Sequence, residues 1–85
     1  MFHKIKDAHA LSDLRLSVQF ASGATKVYDV APLLDRFEAF KPLQDHVPFS
    51  SVEVDAGGCG VVWNDEIDLS CEELWAHGVE AEDTV

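Results

Sequence analysis

The segment from Val61 to Gly78, VVWNDEIDLSCEELWAHG, joins a strand to a short helix whose two ends are both signalled, and that junction limits what the rest of the chain can build. Val61, Val62 and Trp63 follow Gly57, Gly58 and Gly60, the pattern of a strand leaving a tight turn. Asn64 to Glu66 read as a polar turn. Ser70 stands three residues before Glu73, so its hydroxyl is placed to accept from the Glu73 amide while the Glu73 carboxylate reaches back to the Ser70 amide, a capping box. Leu69 and Leu74 have the spacing of a hydrophobic staple, and Gly78 is expected to end the helix as a left-handed residue. Cys71 to His77 alone cannot repay helix nucleation, so Leu74 and Trp75 must anchor the helix by packing. Glu72 and Glu73 fall near the positive end of its dipole and His77 near the negative end.

Upstream, Leu14, Leu16, Val18 and Phe20 alternate with Arg15, Ser17 and Gln19, the period of a half-buried strand opened by Asp13. Ser22 and Gly23 turn the chain, and Thr25 to Val30 returns as a hairpin with Tyr28 and Val30 inward. Phe2 to Ala10 has a mixed pattern, with Phe2, Ile5 and Ala8 apolar, and reads as a first strand at an edge. Pro32 starts one helical turn through Arg36. Phe37, Phe40, Leu43 and Val47 sit at helical spacings, but Pro42 and Pro48 limit any helix, so this segment is expected to cap one end of the sheet, with Phe37 and Phe40 in the core. Ser51 to Asp55 alternates with Val52 and Val54 inward, pairing with the Val61 strand as a second hairpin. The expected fold is α+β, with a small antiparallel sheet of about five strands, short connector helices and one C-terminal helix packed on the sheet. Residues 1–78 form the single domain in this reading, and 79–85 an acidic, frayed tail.

Charge divides the chain. The first 41 residues hold all six Lys and Arg, from Lys4 to Lys41, and a balance of +1, whereas Pro42 onward carries eleven acids and no Lys or Arg, for a net charge of −10 with His neutral. Such a field repels phosphate backbones and anionic membranes and attracts a basic partner. With no basic leader before an apolar run and no apolar stretch approaching about 18 residues, the expected location is cytoplasmic.

The sequence carries little that specifies chemistry. Cys59 and Cys71 lack CxxC spacing and read as free thiols, small apolar groups in or near the core. His3 and His9 on one extended strand are about 20 Å apart at about 3.3 Å per residue, too far to share an ion. Cys71 and His77 lie on different sides of a helix. The run Asn64, Asp65, Glu66, Asp68 lacks the central glycine of a calcium loop, and Trp75 stands where its bidentate glutamate belongs. There is no GxSxG, SxxK or phosphate-binding glycine loop. No metal, cofactor or catalytic role is expected.

The strand Leu14, Leu16, Val18, Phe20, then Gly23, Tyr28-Asp29-Val30, Pro32-Leu33-Leu34, Phe49, Val52, Val61, Trp63 and Ile67-Asp68-Leu69-Ser70 with Leu74 resemble a family of small bacterial proteins catalogued as domain of unknown function 2442. The resemblance covers roughly residues 2–78. It implies an α+β domain with a small antiparallel sheet and a C-terminal helix. Members of the family are often encoded beside another small protein in arrangements that look like toxin and antitoxin pairs, and some carry a helix-turn-helix that this chain does not show.

The leading expectation is a protein-interaction module, the antitoxin-like half of a two-protein system, meeting a basic partner through Asp65, Glu66, Asp68, Glu72 and Glu73. Trp63, Leu69, Ser70, Leu74, Trp75 and Gly78 are expected to be structural. Direct nucleic-acid or membrane binding is not expected, and an unpaired edge strand leaves room for a homodimer. The alternative is a non-catalytic small-ligand or oligomeric scaffold domain with a pocket between sheet and helix near Trp63 and Trp75.

Overall fold

The computed structural model describes residues 3–80; Phe2, the tail 81–85 and the side chains of His46 and Val47 lie outside that description. The order is β1 (Ile5–Leu11), β2 (Arg15–Phe20), β3 (Thr25–Asp29), α1 (Ala31–Arg36), α2 (His46–Ser50), β4 (Glu53–Val54), β5 (Gly60–Asn64), β6 (Ile67–Ser70), α3 (Cys71–His77) and β7 (Val79–Glu80). Tight 3-10 turns occupy Ser12–Leu14, Glu38–Gln44 and Ala56–Gly58. The α+β class holds, with antiparallel pairing throughout. The strands divide into two sheets, ordered β1-β2-β3-β7 and β4-β5-β6, rather than forming one sheet of about five.

The mixed pattern of β1 has a cause in its register. Ile5 pairs with Phe20 and Asp7 with Gln19, so Lys6 is an extra residue and the strand's parity flips across it. Ile5 and Ala8, three apart, are therefore both buried. The Asp7 carboxylate accepts from the Ala8 amide at 2.9 Å beside this bulge. In β2 the alternation is as expected, with Leu16, Val18 and Phe20 buried. Leu14 is not part of that strand. It belongs to the β1–β2 turn with φ 59°, next to Asp13 at φ 61°, and its carbonyl accepts from Val30 at 2.8 Å. A leucine in that region is strained, and its partial packing against the core and this hydrogen bond offset the cost.

The middle of the chain is more than a cap. Leu33, Leu34, Phe40, Leu43 and Phe49 enter the same buried cluster as Leu16, Val18, Phe20, Tyr28, Val30, Val61, Ile67 and Leu74. Half-buried Trp63 fastens this segment to β5: its indole N–H donates to the Phe49 carbonyl at 3.0 Å, and the Phe49 ring lies 6.1 Å from its own. Phe37 departs from expectation, since it is 48% exposed while Phe40 is buried. Cys71 is buried but Cys59 is exposed, so only one thiol has the core role. Gly58, at φ 74°, lets the Ala56–Gly58 turn approach β1; a Cβ there would stand 2.7 Å from the Ile5 carbonyl oxygen.

Two short strands carry no readable period. Ile67–Ser70 continues from the Asn64 turn and pairs with β5, the Asn64 side chain accepting from the Glu66 and Ile67 amides at 2.8 and 3.1 Å. Val79 and Glu80, expected to fray, pair with Val27 and Lys26 instead. At Gly78 the backbone is extended, with φ −76° and ψ 156°, not left-handed. Glycine is required there by proximity: a Cβ would sit 2.5 Å from the Leu74 oxygen and 3.1 Å from the Lys26 Cβ.

Candidate functional site

Because β3 places Lys26 and Tyr28 on one face, both side chains reach α3. The Lys26 ammonium donates to the Trp75 carbonyl at 2.7 Å and lies 4.2 Å from the indole centroid, a cation at the negative end of a helix and against a π face. His3 stacks on the same indole at 3.9 Å, and Phe20 meets it edge-on at 5.0 Å. Trp75 is thus enclosed by packing partners.

Tyr28 performs the second fastening. Its hydroxyl donates to the Glu73 carboxylate at 2.8 Å. Only half of the expected capping box therefore forms: the Ser70 hydroxyl accepts from the Glu73 amide at 3.1 Å, while the Glu73 side chain turns to Tyr28. Burial of the phenol, followed by the hydrogen bond and negative charge of Glu73, raises the Tyr28 pKa far above its ordinary value; Arg36 opposes this and Asp29 adds to it.

Above this pair an open cavity of about 750 Å3 separates α1 from β6 and α3. Tyr28 and Asp29, at the end of β3, line it. Pro32, Leu33, Arg36 and Phe37, with Phe40, line one side. Asp68, Leu69 and Ser70 of β6 with Glu73 and His77 of α3 line the other. Pro32 near the start of α1 shapes the first wall, where the Asp29 carboxylate accepts from the Ala31 amide at 3.1 Å and ends β3 in a turn into the helix. The second wall follows from the junction of β6 and α3 at Ser70, the residue that caps the helix.

Of the acids expected to meet a partner, Asp68 and Glu73 come together at this cavity. Asp65 and Glu66 occupy the exposed β5–β6 turn, and Glu72 is exposed on the first turn of α3. Trp63 and Trp75 do not line the cavity, so the pocket expected beside them is displaced to the α1 side. Sequence reasoning missed the α1 wall. The available signal was Phe37, an aromatic left over once Phe40 and Leu43 satisfy the core.

The cavity lining mixes apolar and polar side chains, and among the described residues no buried side-chain nitrogen or oxygen lacks a hydrogen-bond partner. Among the described residues no cluster of three or more His, Cys, Asp or Glu is arranged to hold a metal ion. No helix among them is long and apolar enough to cross a membrane.

No curated protein matches the chain, and no solved structure matches it. The model of a family described as a protein of unknown function, DUF2442, matches residues 5–80. With nearly the whole length accounted for, the chain belongs to the DUF2442 family.

Proposed function

We propose that this protein is a non-catalytic, cytoplasmic interaction module that engages a basic partner protein through the carboxylates of its second half. The observation that carries this reading is that no carboxylate of that half takes part in an ion pair among the described residues. Among the described residues the two ion pairs, His9 with Asp7 at 3.1 Å and Arg15 with Asp13 at 3.9 Å, both use acids of the first half. Asp65, Glu66, Asp68 and Glu72 are all exposed. Exposed charges of one sign steer an oppositely charged protein and contribute to its orientation more than to its affinity. An antitoxin-like role, with the partner as the other member of a two-protein pair, extends the reading on the strength of the family resemblance.

The test is affinity capture of the native complex followed by salt titration. A basic protein retained at low ionic strength and released as the Debye length shrinks below about 8 Å supports the module. Capture should also fail with the variant Asp65→Asn, Glu66→Gln, Asp68→Asn, Glu72→Gln. A chain that retains no basic protein at low salt, or whose neutralised variant retains it equally, refutes the proposal.

A further inference from the structure

We infer that the cavity between α1 and α3 is the seat for one arginine or lysine of the partner together with an adjacent apolar side chain, an inference that rests on the basic-partner reading above. Three carboxylates, Asp29, Asp68 and Glu73, face this space against one permanent cation, Arg36, and one imidazole, His77. The Arg36 guanidinium lies 5.7 Å from the Phe37 ring, a position that associates it with the α1 wall. Asp29 and Glu73 each spend a hydrogen bond on the protein, to Ala31 and Tyr28. Asp68 is exposed and, beyond its strand pairing with Val62, its carboxylate takes part in no hydrogen bond or ion pair among the described residues, which makes it the carboxylate most available to an incoming cation.

The apolar share comes from Phe37, 48% exposed and one of the most solvent-exposed large hydrophobic side chains described, with Pro32 and Leu69 beside the same space. A long cationic side chain matches such a lining because its aliphatic stem lies along apolar surface while its head reaches a carboxylate. The lining argues for more than a single amine. The space is open and bordered by side chains of β3, α1, β6 and α3, so a lone cation at Asp68 would leave Phe37, Pro32 and Leu69 uncovered.

The experiment is amide chemical-shift mapping of the full chain at low salt with three capped peptides of equal length, built on Leu-Arg-Leu, Gly-Arg-Gly and Leu-Gln-Leu repeats, and with butylguanidinium. The Leu-Arg-Leu peptide should shift Leu33, Phe37, Leu69 and Glu73 and bind more tightly than the other three probes. Asp68→Asn and Phe37→Ala, both at exposed positions, should each weaken it by about tenfold. Shifts confined to Asp65, Glu66 and Glu72 overturn the seat while leaving the acidic-face reading intact. Equal binding of Gly-Arg-Gly removes the apolar component and overturns it too. Butylguanidinium binding as tightly as the peptide overturns the two-side-chain seat and reassigns the cavity to a small organic cation. No peptide binding at all also rejects the seat, whereas the module itself stands or falls on capture of a basic protein.

Discussion

Gly78 separates two physical reasons for a glycine after a helix, and they predict different rankings of substitutions. If left-handed backbone were the requirement, asparagine would serve nearly as well as glycine and alanine would cost about 1 kcal/mol. The observed φ of −76° is open to any residue, but a Cβ would meet the Leu74 oxygen at 2.5 Å and the Lys26 Cβ at 3.1 Å. Both neighbours resist movement. The Leu74 oxygen already accepts the Gly78 amide at 2.9 Å, and Lys26 belongs to β3, paired on both sides. Overpacking of this kind costs about 1 to 3 kcal/mol, and weakening the hydrogen bond adds about 1. Gly78→Ala and Gly78→Asn are therefore both expected to lose about 2 to 4 kcal/mol, with asparagine no better than alanine. For a domain of this size that lowers Tm by about 10 to 20 °C. Urea and thermal melts followed by tryptophan fluorescence read it directly. Asparagine within about 0.5 kcal/mol of the parent, or alanine distinctly worse than asparagine, would refute the close-approach account.

Three further substitutions probe the fastening of α3. Tyr28→Phe removes a hydrogen bond to a partly exposed carboxylate and should cost about 1 to 2 kcal/mol near neutral pH. Because the folded-state Tyr28 pKa is raised, its contribution is fully present below the unfolded value of about 10 and lost as pH rises above it, so the parent should lose stability in alkaline denaturation series more steeply than Tyr28→Phe; parallel pH profiles would contradict this. Ser70→Ala should cost about 1 kcal/mol through the lost cap, and identical thermal melts would remove that contribution. Lys26→Met keeps the stem but deletes the ammonium that meets Trp75, and should both destabilise by about 1 kcal/mol and change Trp75 emission; an unchanged spectrum and Tm would show the contact to be idle.

The local elements were readable because their causes lie within a few residues of one another. Leu16, Val18 and Phe20 alternate on one face of β2, Pro32 opens α1, and Ser70 caps α3, each from information inside a single window. Where a window is too short or its period is interrupted, the reading failed. The bulge at Lys6 inverts the parity of β1, Leu14 is drawn into a turn, and Ile67–Ser70 and Val79–Glu80 become strands only because a partner edge awaits them.

Charge and composition, properties of the chain before it folds, decided that the second half is acidic and unbalanced. Only the tertiary structure decided where two of those acids stand relative to Phe37 and Arg36. Tyr28 and Glu73 are 45 residues apart and Lys26 and Trp75 are 49 apart, so their contacts depend on which faces meet rather than on any local spacing. The cavity is likewise bordered jointly by residues of β3, α1, β6 and α3, a property of several surfaces together that no single segment encodes.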